Sequence, residues 1–212
     1  MISFVVLAIL IVLLGVVLMQ LFKKAPAPAA AQKEPDLANL KVTDAQRGDM
    51  ISIAGAGDNL SDLDFTIDHV HRLLVGAWGV RLLSGLYRER RITVRITEGE
   101  DAEASVDSDP RRLSIDSLGL AEEDLAEMDE RQNPADSFEF DGKVWVYRRS
   151  REAQDVRDEG AQRSAYYYWE FEEQDGNRLL TIGKPEGEPF AVRLYTRIPT
   201  GDITVFRGST AS

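Results

Sequence analysis

Apolar residues in the folded part of this chain recur mainly at every second position, in runs too short for a helical bundle. Leu63, Phe65 and Ile67 alternate with Asp64, Thr66 and Asp68. Trp78, Val80 and Leu82 repeat the spacing, and Ile92, Val94 and Ile96 alternate with Thr93, Arg95 and Thr97, read as the outward face. Successive side chains of a strand point to opposite faces, so a period of two marks a half-buried strand. Turn signals separate the runs. Asp141-Gly142 stands between Phe138/Phe140 and Val144 to Tyr147, and Asp175-Gly176 between Tyr166 to Glu172 and Leu179, Leu180 and Ile182. Asp-Gly suits a tight hairpin because both residues tolerate positive φ. Phe190 to Tyr195 and Ile203 to Phe206 complete a pattern of many short strands, which predicts a mainly β fold, sandwich or barrel-like. One short helix is expected over Ala121 to Arg131, with Leu125 and Met128 on one side and Pro134 beyond its end.

A different constraint stands at the N-terminus. Ile2 to Phe22 carry no charge. At about 1.5 Å per residue, a helix of that length spans roughly 30 Å, the thickness of a bilayer core. A cleaved signal peptide is the competing reading, but it wants a basic segment before the apolar run. Here Lys23 and Lys24 follow the run, as at a stop-transfer flank. Residues 1–22 are therefore expected to be a retained transmembrane anchor with the rest of the chain on the cytoplasmic side. A periplasmic domain on an uncleaved anchor is the alternative. Residues 23–39, with Pro26, Pro28 and Pro35, read as a semi-rigid linker. A β-rich domain over 40–207 and a tail over 208–212 follow.

Composition removes several chemistries. The 212 residues contain no cysteine, which excludes disulfides, thiolate zinc sites, iron–sulfur clusters and thiol nucleophiles. A formal charge of −11 argues against general nucleic-acid binding, so no nucleic-acid partner is expected. Residues 100–136 hold 13 acidic and 3 basic side chains. A solvated helix with its loops accounts for them better than a docking surface. His69 and His71 share a strand face, but Asp64 and Asp68 point the other way, so no metal site is expected. The run Asp58, Asp62, Asp64 and Asp68 misses the calcium-loop spacing. Ala54 to Asp58 resembles a phosphate loop, yet Leu60 stands where a further glycine is needed. Ser84 lacks the Gly-x-Ser-x-Gly elbow. No catalytic constellation and no cofactor site follow. In the run Tyr166 to Phe171, one strand face carries Tyr167, Trp169 and Phe171, with Trp169 expected in the core. The other face carries Tyr166 and Tyr168, the candidate partner surface, with a face covered by the helix or a long loop as the alternative.

Two segments echo each other. RITVRITEGEDAEASV from Arg91 and RLLTIGKPEGEPFAVRL from Arg178 each read as strand, Glu-Gly-Glu turn and strand, each after a strand with tryptophan, Trp78 or Trp169. This suggests two related β units, 47–106 and 137–206, joined by the acidic helical insert. YYYWEFEEQDGNRLLTIGKPEGEPF and the ending IPTGDITVF, with the opening Arg47-Gly48-Asp49, resemble the bacterial family called domain of unknown function 4178. The resemblance implies a β-rich domain and carries over no catalytic residue. The expected function is a membrane-anchored, cytoplasmic, non-enzymatic binding or scaffold module with a protein partner. The alternative is a ligand-binding or enzymatic domain with a pocket between the two β units. A reporter active only in the periplasm, fused after Ser212, is expected to be silent, and replacing Lys23 and Lys24 by Ala to weaken that orientation. Strong reporter activity would reverse it.

Overall fold

The first and last strands of the described residues lie side by side. In a computed structural model, residues 40–76, 78–99, 102–107, 109, 111–158, 160 and 163–208 are described. The expected anchor, the linker and residues 209–212 of the expected tail lie outside the described residues. Among the described residues, no helix is long and apolar enough to cross a membrane.

Among the described residues, eleven strands and one α-helix form the architecture, and every strand pairing is antiparallel. The first meander contains β1 (Met50–Ile53), β2 (Leu63–Val75), β3 (Trp78–Tyr87), β4 (Arg90–Thr97) and β5 (Ala104–Asp107). The acidic insert follows, carrying α1 (Glu122–Arg131). The second meander contains β6 (Ser137–Phe140), β7 (Lys143–Arg157), β8 (Arg163–Glu173), β9 (Arg178–Pro185) and β10 (Ala191–Ile198). β11 (Ile203–Phe206) returns to pair with β1. β5 pairs with β10 and β2 with β7, so β2 to β5 and β7 to β10 close into a ring of eight strands.

Local chemistry explains the boundaries. Asp141 and Gly142 both take positive φ, 55° and 66°, the geometry an Asp-Gly hairpin requires. β2 is long enough to serve two neighbours because a bulge between Ile67 and His69 shifts its register. Before the bulge it pairs with β1, and after it with β7. β3 passes very close to β2 at Gly85, where a Cβ would meet the Thr66 carbonyl oxygen at 2.1 Å. Only glycine fits that approach.

Each meander has its own apolar core. Ile51, Phe65, Leu83, Val94 and Val205 belong to the first, which β1, β11 and the early part of β2 help to close. Leu125 and Met128 of α1 cover the second, together with Trp145, Trp169, Phe171 and Ile182. The helix starts where the Asp124 carboxylate accepts the Ala121 N–H at 2.7 Å, which satisfies one exposed end donor. Trp169 is buried and its Nε1–H donates to the Leu125 carbonyl at 3.0 Å, so it fixes the helix as well as filling the core. Truncating such a residue typically costs about 3–5 kcal/mol. Trp169→Ala is expected to lower the denaturant midpoint sharply and to loosen α1, read as faster hydrogen exchange over 122–131. A mild effect on both would remove Trp169 from the core.

Candidate functional site

Alternation along β8 sends its two faces to different places. Tyr167, Trp169 and Phe171 join the core beneath α1. Tyr166, Tyr168 and Glu170 line a cavity between the meanders, opposite Leu73, Val80 and Leu82 of the first. Tyr168 is only 3% exposed. Of the two expectations for this face, an open partner surface or a covered one, Tyr168 takes the second, while Tyr166 is half-buried. The β2–β7 pairing closes the first meander over that face, so neither ring offers an open stacking platform. The cavity measures about 30 Å³. About 10–15 Å³ of such space holds one water molecule, so the cavity has room for a few waters at most and is too small for an organic ligand.

The seam around the cavity is charged. Glu170 is fully buried, and its two carboxylate oxygens accept from Arg95 of β4 and Arg149 of β7. Arg95, expected outward from its alternation, is buried because β4 is covered on both faces. A buried carboxylate is tolerable only when paired and hydrogen-bonded. Burial pushes the Tyr168 phenol up to about 12, with the Glu170 charge adding to the shift. The Tyr168 hydroxyl makes no hydrogen bond to the described residues. Burial also raises the Asp107 carboxyl, against the pull of Arg193 at 2.9 Å.

An opening of ligand size lies where the ring closes through β2 and β7. A cleft of about 400 Å³ is lined by Asp155, Arg157, Ser164, Pro185, Glu186 and Glu188. Asp155 forms its buried floor. Its Oδ2 accepts from Arg157 Nε at 2.8 Å, while its Oδ1, closed off from solvent, has no hydrogen-bond partner among the described residues. His71 Nδ1 stands 3.8 Å from Oδ1, beyond hydrogen-bond range. Burial lowers the pKa of His71 from 6.5, although Asp155 pulls the other way. His69 has a separate partner, Asp158, at 3.0 Å. Its hydrogen bond holds the Asp158 carboxyl below the usual range, and Val70 N–H adds to that effect.

The other sequence candidates are dispersed. The two imidazoles lie 6.4 Å apart at right angles, each beside its own aspartate. Among the described residues, no group of three or more His, Cys, Asp or Glu side chains is arranged to hold a metal ion. Asp58 pairs with Arg88, Asp68 with Arg91, and Asp62 accepts the Gly55 N–H. Ser84 shares a hydrogen bond with Thr93. The acidic insert spends part of its charge on its own arginines, through Asp109–Arg111, Glu127–Arg131 and Asp136–Arg131. Asp155 and Glu170 escape sequence reasoning; the only signal for Glu170 is a charge inside an aromatic strand.

No protein-family model matches the chain, and no significantly similar protein is found among curated sequences or solved structures.

His71 makes stability pH-dependent. Its lowered pKa means that the unfolded chain takes up the proton first as pH falls. Stability is therefore full above the unfolded value of about 6.5 and declines as pH drops through it. The denaturant midpoint is expected to fall between pH 7.5 and 5.5, and His71→Gln to flatten that part of the profile. An unchanged profile in His71→Gln would assign the decline elsewhere.

Proposed function

We propose that this chain is a membrane-tethered, non-enzymatic binding module whose ligand occupies the cleft beside Asp155. The cleft itself carries the proposal: its volume lies within the roughly 300–1,000 Å³ of small-molecule sites, and its lining is polar and charged, with Asp155 and Ser164 held on paired strands. In this reading the apolar run Ile2 to Phe22 is the membrane anchor, and the domain faces the cytoplasm. The ring is a barrel-like frame built from two related β units. The succession of five strands, an insert and five strands supports that view. The same reading keeps the chain's resemblance to domain of unknown function 4178 as a proposal. The binding role passes from Tyr166 and Tyr168, which are covered, to the open cleft between β7, β8 and the β9–β10 turn. Ser164 stands opposite Asp155 in the β7–β8 register, which makes it the residue through which to block the cleft.

The test is a thermal-shift screen of the full-length protein in detergent against a library of small metabolites. A true ligand at about 100 times its Kd stabilises by about 2.7 kcal/mol. At least one compound is expected to raise the midpoint of the wild type and not of Ser164→Trp, whose indole fills the cleft. The proposal fails if no compound does so, or if Ser164→Trp responds equally.

A further inference from the structure

We infer that the outer face of the first meander rests on a lipid bilayer surface, through an apolar row made by Phe206, Met50 and Leu86. This goes beyond the ligand cleft and rests on the reading of Ile2 to Phe22 as a membrane anchor.

Among the described residues, four large hydrophobic side chains are exposed: Met50 at 38%, Leu60 at 87%, Leu86 at 56% and Phe206 at 46%. Scattered singly, such residues need no explanation. The strand registers bring three of them together. Phe206 of β11 is the direct partner of Met50 on β1, and Met50 is the direct partner of Thr66 on β2. Ile67 faces Gly85 of β3, so Leu86 stands next in line with the exposed Thr66. Cross-strand partners present their side chains on one face of a sheet. The row therefore runs over four adjoining strands. Alternation turns it outward, since the sequence neighbours Ile51, Phe65 and Val205 all point into the first core. Leu60 lies at the same end of the meander, on a loop that Asp58 ties to Arg88, two residues beyond Leu86.

The place where the N-terminal segment joins the domain argues for a bilayer as the occupant. Leu40 bridges Val205, the residue before Phe206, so the linker over 23–39 enters at the edge strand on which the row begins. Fully extended, that linker reaches at most about 60 Å. A tether of limited reach raises the effective concentration of its two ends toward about millimolar, which lets a small apolar contact form. Size argues the same way. A stable interface with a second copy needs roughly 800 Å² and about 20–30 residues on each side, far more than three large side chains supply. Insertion of a few apolar groups into the headgroup boundary has no such threshold, because its strength grows with each group buried. Charge does not oppose it. Beyond Leu86 the row ends at Arg91, whose guanidinium is matched by the Asp68 carboxylate at 2.7 Å.

The chain has no cysteine, so single introduced cysteines report position. Leu86→Cys, Phe206→Cys and, as a reference on α1, the exposed Glu130→Cys are labelled with an NBD fluorophore in the full-length protein. Each is reconstituted into phosphatidylcholine vesicles with or without dibrominated acyl chains. Quenching by the brominated lipid is expected to be at least about twofold stronger at 86 and 206 than at 130, because only inserted groups reach the acyl boundary. A label at Thr66→Cys is expected to behave like those two, and to fall to the level of 130 when Leu86 and Phe206 are both replaced by Ser. Equal quenching at all positions overturns the docking face, as does quenching at 66 that survives the double replacement. Emission at 86 that shifts with protein-to-lipid ratio and ignores bromine makes a second copy the occupant and also overturns it. Flotation of the wild-type protein with the vesicles tests the anchor separately. If the protein floats and the row is not preferentially quenched, the anchor stands and the docking face falls; if it does not float, both fall.

Discussion

Glu170 is the joint on which the two halves of the ring depend. Each meander has its own apolar core, and a smaller cluster of Leu73, Val80, Ala153 and Tyr168 packs the two together, but apolar contacts of this kind tolerate small shifts that a buried charge does not. The carboxylate of β8 supplies that charge, binding Arg95 from the first meander and Arg149 from the second. Desolvating such groups offsets much of their attraction, so a buried ion pair is a weak source of net stability. Its energetic weight lies in what misalignment does. Removing one partner from a buried pair typically costs about 3–5 kcal/mol, because the remaining charge has nowhere to go. Any packing of the meanders that separates Glu170 from its arginines incurs a penalty of that order. The charged seam thus selects one arrangement among those that the two apolar cores would tolerate.

That rigidity has a bearing on the cleft. Asp155 and Ser164 sit on paired strands whose neighbours are locked to the first meander through β2. Acceptors on paired strands are held in place before anything binds, and preorganisation of this kind reduces the ordering cost of association. The interior cavity plays the opposite part. Its size and its charged walls make it a closely packed joint between the halves, while the cleft beside Asp155 is one of several openings large enough for a ligand.

Much of the fold was legible in the sequence, and the reason is the period of two. Leu63/Phe65/Ile67 and Ile92/Val94/Ile96 are strand residues facing one core, the Asp141-Gly142 turn has the expected geometry, and α1 begins within a residue of its expected start. What alternation cannot say is what covers the second face. Arg95 and Tyr168 occupy positions that look outward in an isolated strand. Both are buried because the ring closes over them, a consequence of pairings between residues far apart in sequence. Asp155 was illegible for a related reason. It lies in the charged stretch Ser150 to Asp158, which reads as solvated surface, and only the β2 and β8 registers bring His71 and Ser164 beside it. The candidate site is therefore made of contacts between strands, whereas the strand pattern is written within each one.

The pairing of β11 with β1 also orders events in time. Ile203 and Val205 belong to the core of the first meander, and Asp49 accepts from Arg207 and from the Gly208 N–H. During synthesis β1 thus waits for β11. While the ribosome is still translating, β1 has one bare edge and its apolar side chains lack their final cover, a state that invites pairing with another chain. A message cut short before the codon for Ile203 yields a product that cannot finish its first lobe. The first core is therefore completed only after the strands of the second meander have been made, although most of its residues come before them.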